Sequence, residues 1–328
     1  MSEVVRSAAA IPLRAVRSIG VTALVLAALG AASPVAAQTY GFATMQPGSL
    51  NHTTGSAIAK VLKEKGNMNA LVQPTAGESV IVPLVARGEA EFGIANALEV
   101  SVAVEGGRMP ELRLIGALHP LPTAFFVRKD TPMRTIADVK GKKVVFGFSA
   151  QRVIDIVMRA MLATGGLTEK DIVPVLVPNV IRGADDFVAG AADVFYFAFG
   201  APKVREVDAT VGGIRVIEIP ESGMEAARKI YPDGYLAPAA PGPFYIGVEK
   251  PMGVYTWDNL LFTHAKVKDE VVYKMIDTMA KHHDDLVVVQ PALRTFSPQA
   301  LYKKYAVPYH PGALKYFADN KIEAKAIQ

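Results

Sequence analysis

"VARGEAEFGIA", residues 85–95, and "VAGAADVFYFA", residues 188–198, share one design: a helix end, a glycine (Gly88, Gly190), an acid three residues later (Glu91, Asp193) and an apolar strand. Glycine closes a helix because it takes left-handed backbone without a Cβ penalty, and the apolar run behind it has the length of a buried strand. One such unit predicts a helix beside a strand; a second in the same chain predicts two lobes of similar build. Units of this kind also arise independently, so the repeat locates equivalent positions and leaves duplication and convergence both open.

Working outward, short β-rich runs alternate with amphipathic helices. Expected strands are Tyr40–Met45, Asn69–Gln73, Glu91–Asn96, Leu112–Leu118 and Ala124–Arg128, with helices over 51–65 and 77–87. A second series starts at "IADVKGKKVVFGFSA" (136–150) and continues with a helix Gln151–Thr164 and strands Ile172–Val177, Val194–Phe199 and Ile214–Ile219. "YPDGYLAPAAPGP" (231–243) reads as a linker before a strand-like "FYIGVEK" (244–250). The remaining stretch, about 80 residues, suits helices returning to the first lobe. The expected class is α/β, two α/β domains joined by a two-segment hinge. Residues 38–126 plus 244–328 make a discontinuous first lobe and 127–243 the second, with Ala124–Arg128 and Phe244–Val248 crossing between them.

The beginning of the chain carries Arg6, Arg14 and Arg17 before an apolar run, Ile19–Ala32, that ends in Val35-Ala36-Ala37. This is the pattern of a secretory signal peptide cleaved near Ala37, since about 14 apolar residues fall short of the roughly 20 that span a bilayer. The mature chain is therefore expected in a periplasm, not itself membrane-spanning. Cysteine is absent, which removes disulfides, a lipid-anchored thiol and cysteine-based zinc sites. Cleavage leaves 32 Lys plus Arg against 30 Asp plus Glu and no basic block, so no nucleic-acid footprint exists.

Ligands of open α/β sheets collect where strands end and helices begin, because a helix start offers unpaired N–H groups and a positive dipole end. In "ATMQPGSLNHTTGSAIAKVL" (43–62), Ser49, Asn51, His52, Thr53 and Thr54 surround such a start, with no acid among them. N-capping accounts for Ser49 or Asn51; five polar residues exceed that need. "FGFSAQRV" (146–153) repeats the device with Ser149, Gln151 and Arg152, the arginine being either solvated or opposed by a bound anion. "PTAGESV" (74–80) adds Thr75, Glu78 and Ser79. Glu78 suits the helix dipole by itself, and facing the cleft it favours an amine or hydroxyl on the ligand. Asn96, Tyr196 and Phe199 end strands, and the two aromatics belong either to the cleft wall or to the core. Asn179 and Arg182 mark one more strand-to-helix turn. The sequence holds no G-x-S-x-G, Walker A or H-E-x-x-H pattern, so no enzyme, cofactor or metal is expected, and "KHHDDL" (281–286) reads as a solvated helix end.

Taken in order, "GSLNHTTGSAIAKVL" (48–62), "PTAGESVIVPLVARGEAEFGIANALE" (74–99), "IADVKGKKVVFGFSAQ" (136–151), the segment 178–214 and "VPYHPGALKYF" (307–317) resemble the TAXI family of TRAP-transporter solute-binding proteins, over nearly the whole mature chain. The resemblance implies a two-lobed, type II-like periplasmic binding protein fold. It also implies delivery of a small solute, commonly a carboxylate such as an amino acid or a dicarboxylate, to TRAP-type membrane permease subunits driven by an ion gradient. Where that family's first loop usually carries Tyr-Tyr, this chain has Asn51 and His52; where the second usually has Gly-Gly-Ser, it has Ala76-Gly77-Glu78, so glutamate is not carried over as the ligand. The expected function is a receptor for a small organic anion, positioned by Ser49 and Asn51 and closed upon by Ser149, Gln151 and Arg152. A sensor subunit of a signalling system and an exported enzyme using His52 beside Ser49 are the competing readings.

Overall fold

From Thr39 onward, strands and helices alternate in the computed structural model, which describes residues 38–327; the expected signal peptide and its cleavage near Ala37 lie outside the described residues. The first lobe opens with β1 (Thr39–Thr44), α1 (Leu50–Gly66), β2 (Asn69–Pro74), α2 (Glu78–Ala86), β3 (Phe92–Asn96) and α3 (Ala97–Val104). β2 and β3 flank β1 in parallel, and β1 after Thr39 and all of β3 are buried, as interior strands covered on both faces are. Ser49 caps α1 by accepting the His52 N–H, and Asn67 closes it in the left-handed region (φ 46°, ψ 43°).

β4 (Leu112–Arg128) leads into the second lobe: β5 (Lys143–Phe146), α4 (Ile154–Ala163), β6 (Val173–Leu176), α5 (Val180–Val188), β7 (Phe195–Ala198), α6 (Pro202–Val211) and β8 (Ile214–Val216). Phe126 of β4 has a partner on each side, Phe195 of β7 and Val216 of β8. β5 pairs with β6 in parallel and reaches β7 through a Val144–Val194 bridge. α7 (Met224–Ile230) and β9 (Tyr235–Ala239) then lead to β10 (Met252–His264), followed by α8 (Asp269–Lys281), α9 (His283–Val289), α10 (Pro298–Leu301) and α11 (Pro311–Asp319). The first lobe thus reads β2-β1-β3-β10-β4 across its sheet, and the second continues from β4. α1, α8 and α11 cover one face over Phe42, Phe92, Ile94 and Leu261, and α2 supplies Ile81, Val82 and Val85 to a second core.

The repeat that opened the sequence has a structural counterpart. Gly88 and Gly190 both take positive φ (72° and 77°). Glu91 Oε2 accepts the Gly41 N–H of β1 at 2.5 Å, and Asp193 Oδ2 accepts the Lys143 N–H of β5 at 2.9 Å, so each acid ties its turn to the first strand of its own lobe.

Five expectations need correcting. The stretch 231–243 is not a plain linker, because Tyr235–Ala239 within it is β9 and pairs antiparallel with Met252–Thr256 of β10. Leu112–Leu118 and Ala124–Arg128 are one strand, not two, carried straight through Pro120 and Pro122. The prolines lie two apart, so their missing N–H groups fall on one flank of β4, and β7 begins to pair only at Thr123. Phe244–Val248 forms no strand; the second long segment is β10, which pairs with β4 from His264–Leu112 to Tyr255–Thr123. The final stretch is accordingly not helical alone. The helix expected from Gln151 starts at Ile154, leaving Gln151 and Arg152 in the preceding turn.

Candidate functional site

Between the lobes lies a cavity of about 40 Å³ whose polar lining comes from Ser49, Asn51, Glu78, Gln151, Tyr196 and Asn259. Ser49 and Asn51 belong to the α1 start, Glu78 to the first turn of α2, Tyr196 to β7 and Asn259 to β10. Leu121 and Thr123 of β4 complete the lining, the Thr123 hydroxyl being spent on the Tyr255 carbonyl at 3.1 Å.

Two polar atoms there have no protein partner: Tyr196 Oη and Asn259 Oδ1. The rest of Asn259 is engaged. His119 Nδ1 lies 2.6 Å from the Pro120 carbonyl and so carries the proton; its Nε2 then accepts from Asn259 Nδ2 at 3.4 Å, which leaves Oδ1 as the free end of that amide. Burial holds the His119 pKa below its ordinary value, consistent with this neutral ring. Glu78 is 4% exposed and accepts the Asn96 N–H (2.9 Å) and Asn96 Nδ2 (2.6 Å). Burial, reinforced by the Glu99 charge, pushes its carboxyl up to about 7 against those two bonds.

The other expected residues take structural roles or lie elsewhere. Asn51 lines the cavity but spends both polar ends on backbone, accepting the Met45 N–H (3.0 Å) and donating to the Ile94 carbonyl (2.7 Å). His52 faces Thr44 Oγ1 at 3.2 Å, and burial lowers its pKa; Ser49 Oγ donates to the Gln46 carbonyl, not to the imidazole. Thr75 donates to the Gly77 carbonyl, and Asn96 caps α3. Phe199 is buried in the core against Phe126 and Tyr245. Ser149 and Arg152 are exposed; burial raises the Glu99 carboxyl of the first lobe, and the Ser79 hydroxyl and the Arg152 charge oppose that rise without cancelling it.

The helix starts expected to offer free amides are already used across the cleft. Ser79 N–H donates to the Ala150 carbonyl (3.1 Å) and Arg152 N–H to Ser79 Oγ (3.1 Å). Asn179 Nδ2 reaches the Ala76 carbonyl (3.0 Å), and Gln151 Nε2 donates to Met45 Sδ at 3.6 Å. These bonds hold the lobes together. Sequence reasoning missed Asn259, Thr123 and His119, because they sit on the two strands it broke or overlooked. Among the described residues no group of three or more metal-ligating side chains occurs, and no helix is long and apolar enough to cross a membrane.

Solved structures resemble this chain distantly. The periplasmic aliphatic sulphonate binding protein SsuA from Escherichia coli shares 13% identity, with 86% of this chain and 83% of that chain covered and a TM-score of 0.47. PhnD1 from Prochlorococcus marinus, solved with methylphosphonate, shares 9%, covering 87% of this chain and 91% of that one at a TM-score of 0.48. The model of one family, described as NMT1-like, matches residues 42–320. That span takes in nearly every element of both lobes, and the chain belongs to the NMT1-like family.

Proposed function

We propose that this protein is a periplasmic solute receptor that binds a small organic acid between its lobes and delivers it unchanged to a membrane permease. The observation that carries the reading is the pair of unpartnered buried atoms, Tyr196 Oη and Asn259 Oδ1, on residues that line a cavity sealed by bonds between two lobes. Buried polar groups find partners, so a site that leaves two of them free is built for a guest that supplies the bonds.

The lining narrows the guest. Glu78 and Asn259 Oδ1 accept, while Tyr196 donates, so the solute presents both a donor and an acceptor. An amino or hydroxy acid meets this need; a plain dicarboxylate sets a second negative charge against Glu78. The resemblance to the TAXI family supports a TRAP-type, ion-driven permease as the recipient.

A thermal-shift panel of amino, hydroxy, keto and dicarboxylic acids tests the binding. A true solute at a hundredfold excess over its Kd adds about 2.7 kcal/mol of stability. A panel in which no acid raises Tm, or a solute recovered chemically altered, removes the receptor reading. Uptake in vesicles carrying the cognate permease separates partner classes: dependence on an ion gradient supports the TRAP type, and dependence on ATP replaces it with an ATP-driven importer.

A further inference from the structure

Along β4 the side chains alternate: Leu121 and Thr123 face the interlobe cavity, and Pro120 and Pro122 face a separate cavity of about 490 Å³. Thr256 of β10, opposite Pro122, shares that second side. β9 adds Tyr235, the connection after it adds Phe244 and Tyr245, and the helical turn Pro291–Thr295 adds Arg294. This volume lies in the range of small-molecule sites, and the walls are largely aromatic and proline rings.

The polar groups of this cavity are few and uncommitted. Among the described residues Arg294 makes no ion pair and no side-chain hydrogen bond, and the Tyr235 and Tyr245 hydroxyls bond to no protein atom. Burial raises the Tyr245 pKa and the Arg294 charge opposes that rise, which sets the guanidinium near the phenol. Asp258, the acid on the same side of β10, is already neutralised by Lys303 Nζ (2.6 and 2.9 Å) and Tyr305 Oη (2.6 Å). One unpaired cation above an apolar chamber therefore faces no competing carboxylate.

We propose that this cavity is a second binding site, independent of the interlobe one, for an amphipathic organic monoacid whose aromatic or branched body lies among Pro120, Pro122 and Phe244 and whose carboxylate or sulfonate meets Arg294. One cation and apolar walls select a single acid group on a hydrophobic body, in contrast to the small polar guest of the interlobe cavity. Arg294 and Phe244 also border a neighbouring recess of about 280 Å³, which gives longer acids room to extend.

The test is fluorine NMR of 4-fluorophenylacetate added to the purified protein. Saturable binding is expected, weakened at least about tenfold by Arg294→Gln through loss of a charge-assisted bond. Ala237→Phe, which fills the chamber from β9, should abolish it, and 4-fluorobenzyl alcohol should bind equally to the wild type and Arg294→Gln. Arg294 is exposed, so its variant keeps the fold even if the Ala237 variant does not. Absence of saturable binding, or full affinity retained by Arg294→Gln, overturns the proposal.

Discussion

Glu78 couples the interlobe cavity to pH. Its carboxyl titrates near 4.5 when unfolded and at about 7 when folded, so between these values the folded chain holds a proton that the unfolded chain has lost. Its contribution is fully present below 4.5 and disappears as pH rises through 7, amounting to roughly 3 kcal/mol. His52 and His119, held neutral by burial, act in the opposite direction, so the quantity to measure is the stability difference between wild type and Glu78→Gln. Urea denaturation should show that difference falling from pH 4.5 to 8; a flat difference sinks the assignment. Tyr196→Phe removes an unpartnered oxygen, so Tm should hold or rise while solute affinity drops about tenfold, a split that calorimetry and titration read separately. At this scale the sequence yielded the Ser49 cap, which acts through atoms a few residues away, whereas Asn96, read as a strand end, proves to cap α3. The sequence did not reveal that Asn51 is committed to Met45 and Ile94, because that bracket depends on β1 and β3 lying side by side.

The start of α2 is the element that joins the lobes. Gly77 has extended backbone (φ 170°) that any residue adopts, yet a Cβ there would collide with the Ala150 carbonyl of the other lobe. Gly77→Ala should therefore leave the fold intact, push the lobes apart and weaken the solute about fivefold, a loss equal to one neutral hydrogen bond of about 1 kcal/mol. Small-angle scattering should show a larger radius of gyration for the variant, and an unchanged radius with unchanged affinity counts against the latch. The paired acids of the repeat give a second prediction. Glu91→Gln and Asp193→Asn should each cost about 1–3 kcal/mol by denaturant titration, Glu91 more because its bond is partly buried and that of Asp193 is exposed. Local signals made most elements legible, with glycine stops and apolar runs marking β1 to β3 and α1. They failed at β4 and β10. Prolines split the first into two apparent strands, and Asp258-Asn259 interrupts the apolar pattern of the second, although both long strands are fixed by pairing with each other across the chain.

At the scale of the whole molecule the interlobe cavity is too small for its guest: about 40 Å³ holds little more than a water, whereas small-molecule sites measure about 300 Å³ or more. A solute therefore enters only after the bonds from Ala76 and Ser79 to Asn179, Ala150 and Arg152 have broken, and β4 and β10 are the continuous strands about which such opening would turn. A closed form that predominates without solute reduces the apparent affinity by the fraction of time the cleft stands open. It also sets the kinetics, because opening precedes binding. Trp257, the chain's single tryptophan, sits on β10 against Tyr231 and Tyr255, two residues from Asn259, and so reports from the edge of the site. In stopped flow its fluorescence should relax at a rate that levels off as solute concentration rises, the plateau being the opening rate. Gly77→Ala, which weakens the closed form, should raise that plateau; a wild-type rate climbing linearly without limit would show instead that the open form predominates.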